Sequence, residues 1–365
     1  MRGGAETQVF LLAKGLALRG HGVGVVSLRE PEAYVDELAG LGVAFDSLAM
    51  RSGVADPRAL LRLARIVRRE RPQVVHGHMV HANLLARLAR PLAWSPVLVS
   101  TAHNLIEGGR ARDLAYRITD PLTTLTTNVA QAAVDRFVRV GAVPARRIRR
   151  MPNGLDVDAF VVDPVSRART RELLGVGDEF LWLTVGRLDE QKDYGVLLEA
   201  VAGLPRPGRT VLIVGEGPLR SALEAEATRR GLMDGTVRFL GARTDVPDLM
   251  AAADAFVLSS AWEGLPMVLL EAAASSLPAV VTDVGGNAEV VIHEQAGLVV
   301  PSRDPEVLAA AMRRLEAMPV AEREAWGHAA RAHVQEHFHI DRVVESWEAL
   351  YRELLGPGAS SGTLR

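Results

Sequence analysis

The 365-residue chain contains no cysteine, and only two of its 42 basic residues are lysines, Lys14 and Lys192. Without cysteine it cannot form disulfides, use a thiol nucleophile or ligate a metal through sulfur, which fits a reducing compartment. No apolar run approaches the roughly 20 residues that span a bilayer, and no signal-peptide pattern is present. We therefore expect a cytoplasmic protein, with peripheral attachment to the inner face of the cytoplasmic membrane as the alternative.

The formal net charge of −2 conceals an uneven distribution. Residues 1–150 hold 22 basic and 12 acidic side chains, whereas the remaining residues hold 20 and 32. At roughly 150 residues per domain, the length predicts two domains. The basic N-terminal domain is expected to favour an anionic partner.

Short apolar runs typical of buried parallel strands alternate with helical patterns along the whole chain. The predicted strands are 23–28, 43–46, 73–76, 96–100, 123–127 and 148–151 in the first half, and 180–185, 210–214, 236–240, 254–258, 278–282 and 297–300 in the second. The main predicted helices are 5–19, 57–70, 193–203, 217–230 and 304–317. This alternation predicts an α/β protein with two doubly wound domains.

The domain boundary is predicted near the turn signal Met151-Pro-Asn-Gly154. We predict an N-terminal domain over residues 1–152 and a C-terminal domain over 153–335. A C-terminal helix over 336–356 is expected to return to the N-terminal domain, and residues 357–365 to form a disordered tail.

The N-terminal domain departs from the usual pattern at its first element. A doubly wound domain normally opens with a strand in the middle of its sheet. This sequence instead enters a helix directly after Met-Arg-Gly-Gly-Ala-Glu. We expect that the first strand is missing and that the functional protein begins roughly 10–15 residues upstream with an apolar β-branched run.

Two acidic residues flank the most informative segment, Glu263-Gly-Leu-Pro-Met-Val-Leu-Leu-Glu271. The preceding apolar run and the Ala-rich stretch that follows predict a strand, a loop carrying Glu263, and a helix carrying Glu271 about one turn from its start. A strand that feeds a helix N terminus gathers free N–H groups and the positive end of the helix dipole. Anions and sugar hydroxyls bind well at such a place.

A second charged segment follows strand 180–185. Gly186 lets the chain turn, after which Arg187 and Lys192 can converge on a phosphate, the first as a bidentate fork and the second as a point charge. The alternative is a solvated charged loop.

Other motifs indicate structure rather than a cofactor. Gly215-Glu-Gly217 begins like a dinucleotide fingerprint, but Arg220 stands where the third glycine belongs, so we interpret it as a tight turn. The segments His76-Gly-His78 and Asp156-Val-Asp158 could ligate a metal, but they fall at a strand end and in the interdomain linker. We predict no cofactor and no metal site.

The helix over 57–70 is basic and amphipathic, with Arg58, Arg62, Arg65 and Arg69 on one face. Such a helix can lie on anionic lipid. The alternative is an ordinary helix that packs one face on its sheet.

Taken together, these motifs resemble the family 4 retaining glycosyltransferases of the GT-B type over essentially the whole chain. Each motif is short, but the set follows the order of the family. The matching segments are Gly3-Gly-Ala-Glu6, Gly20-His-Gly-Val23, Val75-His-Gly-His78, Thr101-Ala-His-Asn104, Pro152-Asn-Gly-Leu-Asp156, Gly186-Arg187 with Lys192, Gly215-Glu-Gly-Pro218, Phe239-Leu-Gly241 and Glu263 to Glu271.

The resemblance implies two Rossmann-like domains that face each other across a cleft. The N-terminal domain would lie on the acceptor side, and the C-terminal domain would bind most of a nucleotide-diphosphate sugar. The reaction would move the sugar to a sugar or lipid-linked acceptor with retention, in surface polysaccharide or glycolipid synthesis, without a metal. No nucleic acid partner is expected.

The resemblance also assigns roles to residues. Arg187 and Lys192 would hold the donor diphosphate, and Gly186 would form the turn that precedes them. Glu271 would hydrogen-bond the ribose. The donor sugar would face Glu263 and the segment of Gly264, Leu265, Pro266, Met267 and Val268. The base would pack near Arg243 and Gly215, the Gly3-Gly4 loop would approach the diphosphate, and His103 would sit near the reaction centre.

Two alternatives stay open. Loss of a central strand favours a catalytically impaired protein that still binds sugar nucleotides. A GT-B-type sugar-nucleotide epimerase would share the donor site but turn over without an acceptor.

Overall fold

The computed structural model describes residues 3–30, 34–51, 56–93, 95, 97–160, 163–205 and 208–356. The chain forms two compact units. One consists of residues 155–339, and the other combines the residues up to 154 with those from 340 onward. The predicted tail over 357–365 lies outside the described residues.

The N-terminal unit alternates helices and strands up to residue 150. Its helices are α1 Gly4–Leu18, α2 Val35–Ala39, α3 Arg58–Glu70, α4 Val80–Ala89, α5 Arg110–Thr119 and α6 Gln131–Arg139. Its strands are β1 Gly24–Ser27, β2 Ala44–Ser47, β3 Val74–His78, β4 Val97–Ala102, β5 Leu125–Asn128 and β6 Ile148–Arg150.

The 155–339 unit repeats the alternation. Its helices are α7 Pro164–Leu173, α8 Tyr194–Ala202, α9 Arg220–Arg229, α10 Val246–Ala252, α11 Met267–Ala274, α12 Asn287–Val290, α13 Pro305–Glu316 and α14 Val320–His337. Its strands are β7 Phe180–Val185, β8 Arg209–Val214, β9 Val237–Gly241, β10 Ala255–Leu258, β11 Ala279–Thr282 and β12 Gly297–Val300. The last helix, α15 Ile340–Leu355, belongs to the N-terminal unit.

The sheet of the 155–339 unit is parallel and six-stranded, in the order β12-β11-β10-β7-β8-β9. Its first strand in sequence, β7, lies in the middle and pairs with both β8 and β10. Leu181, Trp182 and Leu183 of β7 are fully buried, as expected for a strand covered on both faces. This is the strand order of a doubly wound Rossmann-like domain.

Helices cover both faces of the four-stranded sheet β3-β4-β5-β6 of the N-terminal unit. On one face, Leu12 of α1 and Trp347 of α15 pack in one cluster with Val99 of β4. In a separate cluster, Leu63 of α3 and Ala86 of α4 pack with Leu98 of β4. Because Leu98 and Val99 are adjacent in a strand, their side chains point to opposite faces, so β4 is covered on both sides.

The strands of the N-terminal unit form two parallel sheets, β1-β2 and β3-β4-β5-β6. Among the described residues, no strand joins β1 to β3. This is the position that β7 fills in the other unit, between β8 and β10. The described strands of this unit therefore form two sheets that are divided between β1 and β3.

None of the described helices combines the length and the apolar character needed to cross a membrane.

The divided sheet predicts uneven protection of backbone amides. β3 pairs only with β4 among the described strands, whereas β7 is paired on both sides. Exposed or singly paired amides open with lower free energy than those of a central strand. In native-state hydrogen exchange, β1 and β3 should exchange much faster than β7, and equal protection would contradict the division.

Candidate functional site

The predicted donor-binding residues of the C-terminal half meet at one edge of the six-stranded sheet. The loops after β7 and β10 both leave the carboxyl ends of neighbouring parallel strands, where open α/β sheets bind their ligands. Backbone contact joins the two loops, because the amide of Ala261 donates to the carbonyl of Gln191 at 2.8 Å.

A buried ion pair lies where these loops meet. Lys192 Nζ is 2.5 Å from Glu263 Oε1, and the two side chains are only 12% and 5% exposed. The Glu263 carboxylate also accepts hydrogen bonds from Ser260 Oγ at 2.7 Å and Gln191 Nε2 at 2.9 Å. Three donors therefore fix this carboxylate, and it in turn holds the ammonium group in place.

The loop after β7 depends on two close approaches that only glycine permits. A Cβ at Gly186 would lie 2.9 Å from Cε of Lys192 and 3.0 Å from the Tyr194 hydroxyl. A Cβ at Gly217 would lie 2.3 Å from the carbonyl oxygen of Leu188. Gly217 thus lets the turn after β8 pack against the loop that carries Lys192.

Arg187 lies in the same loop but in a different environment. Its side chain is 71% exposed, and its Nε is 3.7 Å from Asp189 Oδ2. The sequence analysis expects Arg187 and Lys192 to converge on one anion. Among the described residues the two cations do not share a partner, since Arg187 faces Asp189 and Lys192 pairs with Glu263.

The segment after Glu263 leads into α11, as predicted. Gly264, Leu265, Pro266 and Met267 are buried, Val268 is half-buried, and the helix begins at Met267. Sequence reasoning missed the loop that supports this segment. Gly286 N donates to the Gly264 carbonyl at 2.6 Å, and a Cβ at Gly285 (φ +56°) would lie 2.2 Å from the Glu263 carbonyl. The Gly285-Gly286 pair in the loop after β11 was the available signal.

Glu271 lies on α11, about one turn from its start, as predicted. Burial raises the pKa of its carboxyl to about 7. No side chain within the described ranges forms a hydrogen bond with this carboxylate. A half-buried acid with a raised pKa and no side-chain partner among the described residues is a candidate for a ligand contact.

Arg243 and Gly215 lie at the ends of neighbouring strands. The Gly215 amide donates to the Gly241 carbonyl at 2.8 Å, which joins the ends of β8 and β9. Arg243 donates to both carboxylate oxygens of Asp245, at 2.8 and 2.6 Å. The Arg243 side chain is 41% exposed.

The remaining predicted site residues belong to the N-terminal unit. Gly3 precedes α1 and donates its amide to Glu6 Oε2 at 3.2 Å, and Gly4 is the first helical residue. His103 directly follows β4, and its Nε2 lies 3.0 Å from His78 Nδ1. The sequence analysis noted both histidine motifs but did not predict this contact.

One further group combines the Asp156-Val-Asp158 motif with His339, which lies far away in the sequence. Asp156, Asp158 and His339 place one ligand atom each within 4.8 Å of one another. His339 lies past the end of α14, with its side chain 14% exposed, whereas Asp158 is 75% exposed. Exposed carboxylates are readily hydrated, and we assign no metal to this group.

Comparisons with known proteins agree with this architecture. Residues 2–159 match the family described as Glycosyltransferase Family 4, and residues 166–333 match the one described as Glycosyl transferases group 1. The chain is 24% identical to the structure of Anabaena Alr3699/HepE in complex with UDP-glucose, with a TM-score of 0.83 and 96% of each chain covered. The fold is thus the GT-B fold of two Rossmann-like domains.

Two relatives are similar in sequence as well. The D-inositol 3-phosphate glycosyltransferase of Saccharomonospora viridis is 32% identical over 307 residues, covering 77% of this chain and 70% of the relative. The UDP-Gal:alpha-D-GlcNAc-diphosphoundecaprenol alpha-1,3-galactosyltransferase of Escherichia coli is 28% identical over 264 residues, covering 69% and 68%. The chain belongs to the group 1, family 4 glycosyltransferases, and it is a glycosyltransferase.

The raised pKa of Glu271 predicts a pH-dependent cost to stability. The folded state prefers the protonated carboxyl, so the cost is absent below the ordinary pKa of 4.5, grows with rising pH and is complete above about 7. Glu271→Gln should therefore gain up to about 3 kcal/mol over the parent protein between pH 4.5 and pH 8.

Urea unfolding across this pH range measures the effect. Glu324→Gln, at an exposed position of α14, is the matched control and should leave the pH dependence of the parent protein unchanged. A Glu271→Gln variant with the same pH dependence as the control would contradict the prediction.

Proposed function

We propose that the 155–339 unit binds a nucleotide-diphosphate sugar, and that the enzyme transfers this sugar to an acceptor hydroxyl with retention of anomeric configuration. The observation that carries the proposal is the Lys192–Glu263 pair, a buried cation held at 2.5 Å where two loops meet at the carboxyl edge of the sheet. The family membership of the chain supports the same reaction class.

In the proposed reaction, the bond between the anomeric carbon and the diphosphate oxygen breaks as the bond to the acceptor oxygen forms. The acceptor proton passes to an oxygen of the departing diphosphate, so no separate general base is needed. Negative charge grows on the diphosphate as it leaves. The buried cation of Lys192 and the exposed guanidinium of Arg187 would stabilise that charge without a metal.

Glu263 would act mainly through Lys192. Three neighbouring donors already occupy its carboxylate, Lys192 among them. Its contact with the donor sugar, expected from the family, stays a prediction. The backbone from Gly264 to Val268 would face the sugar, with the buried loop around Gly285 as its support.

Other donor contacts are proposed from position and chemistry. Glu271 would accept hydrogen bonds from the ribose, and its carboxylate has no partner among the described side chains. Arg243 and Gly215 would lie near the base. The assignments of His103, Gly3 and Gly4 to the donor and acceptor remain predictions.

The acceptor is proposed to belong to surface polysaccharide or glycolipid assembly, with a lipid-linked acceptor as the favoured class. The Escherichia coli relative is named for a diphosphoundecaprenol acceptor. The basic N-terminal half, with 22 basic and 12 acidic residues over 1–150, supports an anionic acceptor or an anionic membrane surface.

Incubation with a panel of nucleotide sugars and lipid-linked acceptors tests the proposed function. The expected result is a glycosylated acceptor that retains the donor's anomeric configuration, as read from the proton coupling at the anomeric carbon. Activity should survive EDTA. An inverted linkage would overturn the assignment, and donor isomerisation without acceptor would favour the epimerase. Loss of activity in EDTA would instead indicate a metal, with Asp156, Asp158 and His339 as candidate ligands.

The two cations should matter strongly for turnover. Arg187→Ala and Lys192→Ala should each lower kcat by roughly 10²-fold or more, the scale of losing one charge-stabilising donor. Because both would act on one diphosphate, the losses should not multiply. Arg229→Ala, an exposed arginine of α9, is the control. Turnover near that of the parent protein in either site variant would contradict the role.

The basic face of α3 should bind anionic membranes. Arg62 and Arg69 are engaged with Asp56 and Asp46, each at 2.5 Å. Arg58 and Arg65 are exposed, and no ion pair engages them within the described residues. Reversal of these two to Glu should therefore weaken binding to anionic vesicles most.

Sedimentation with anionic and neutral vesicles measures this binding, which should also weaken with salt because exposed charges are screened over about 8 Å at physiological ionic strength. Arg139→Glu, at an exposed position of α6, is the control outside α3 and matches the single variant Arg58→Glu in charge. Equal binding of the parent protein to neutral vesicles would refute the electrostatic interaction.

A further inference from the structure

Three histidines cluster at the carboxyl ends of β3 and β4 in the N-terminal unit. His76 and His78 alternate with Gly77 on β3, so their side chains share one face of the sheet. Their ring centroids lie 4.0 Å apart. His103 directly follows β4, the strand that pairs with β3.

A hydrogen bond connects two of these rings. His78 Nδ1 lies 3.0 Å from His103 Nε2. Burial lowers the pKa of His78 well below its usual value and lowers that of His103 to about 4, so both rings are neutral at physiological pH. A neutral imidazole has one N–H donor and one acceptor nitrogen. The bond therefore couples the two tautomers, because one ring must donate where the other accepts.

This bond leaves one ring nitrogen of His103 for other partners. His103 Nδ1 is buried, and nothing within the described part of the chain hydrogen-bonds to it. An unsatisfied buried polar atom carries a desolvation cost that a ligand contact would relieve. A hydroxyl group of a ligand would satisfy Nδ1 with either tautomer, because a hydroxyl both donates and accepts.

The C-terminal helix α15 contacts the histidine cluster through His76. Tyr351 Oη of α15 lies 2.7 Å from His76 Nδ1, and Thr101 Oγ1 lies 2.6 Å from His76 Nε2. Both nitrogens of His76 are thus engaged, and its ring is fixed against His78. Trp347, one turn earlier on α15, also packs on His76 with centroids 4.6 Å apart.

The backbone of His103 is held independently of its ring. Its amide donates to Glu107 Oε1 at 3.0 Å, and Tyr116 Oη donates to Glu107 Oε2 at 2.7 Å. Arg112 of α5 donates to the Glu107 carbonyl. With the backbone anchored, the orientation of the ring depends on its contact with His78.

We propose that His78 is a positioning residue that sets the tautomer and orientation of His103 so that Nδ1 meets a hydroxyl group of the substrate, and that Tyr351 maintains this arrangement through His76. The identity of that hydroxyl as one of a sugar or acceptor rests on the proposed function.

Nitrogen-15 NMR of histidine side chains tests the positioning without any assay of activity. At neutral pH, His103 should show a single tautomer in the parent protein and a mixture of tautomers in His78→Ala. His78→Asn should restore one tautomer, because the Asn amide places a polar atom close to the position of Nδ1. The His103 signal is identified as the one that disappears in His103→Gln. An unchanged His103 signal in His78→Ala would overturn the proposal.

Kinetics provide the second measurement. His78→Ala should lower kcat by about tenfold or more, the scale of losing a partner that orients a functional histidine. His78→Asn should recover most of it, Tyr351→Phe should lose less than His78→Ala, and the exposed control His81→Ala should match the parent protein.

The pH profile separates positioning from a general loss of structure. The groups that face His103 are His78 and His76 from β3 and Glu107 from its own loop. Water that fills the space vacated in His78→Ala should raise the pKa of His103 from about 4 towards its usual value of 6.5. The acidic limb of kcat should therefore move to higher pH.

The outcomes are distinguishable. A parent protein that transfers no sugar would refute the proposed function, while the NMR result would still decide the positioning. An active parent protein whose His78→Ala variant keeps its kcat and its acidic limb would refute the role of His78.

Discussion

The buried pairing of Lys192 with Glu263 is the constraint on which the candidate site depends. It joins the loop after β7 to the loop after β10, and the 2.5 Å contact leaves the ammonium little freedom. Burying two opposite charges is tolerated only when hydrogen bonds satisfy the remaining acceptors. Ser260 and Gln191 supply those bonds. Gly186 leaves room for the Lys192 side chain, and Gly217 lets the turn after β8 pack against the loop that carries Lys192.

In the N-terminal unit, hydrogen-bonding and packing partners likewise fix the candidate site residues, but there the groups are neutral. There, hydrogen bonds and ring packing connect Tyr351, His76, His78 and His103, and burial keeps the imidazoles uncharged. In both units, the residues at the strand ends are fixed by partners from a different part of the chain. Such preorganisation lets a site act on a developing charge or a hydroxyl without first rearranging.

The sequence predicted the architecture well because buried parallel strands leave a strong local signal. The strand predicted at 180–185 is Phe180–Val185, and the strand predicted at 297–300 is Gly297–Val300. Among the described strands, the N-terminal unit is divided between β1 and β3, where the doubly wound pattern predicts a central strand. The contacts of the site were not predictable in the same way. Lys192 and Glu263 are far apart in sequence, and only the parallel order of β7 and β10 brings them together. The His78–His103 contact likewise depends on the β3–β4 register, which pairs His78 with Thr101.

The central claim is that Glu263 serves the reaction by holding Lys192, and a double-mutant cycle on donor turnover tests it most directly. The variants are Lys192→Met, Glu263→Gln and the double variant, each compared by kcat/KM for the nucleotide sugar. We expect the double variant to lose no more kcat/KM than Lys192→Met alone, because Glu263 acts through the lysine. Losses that multiply in the double variant would show that the two side chains act independently and would contradict the account.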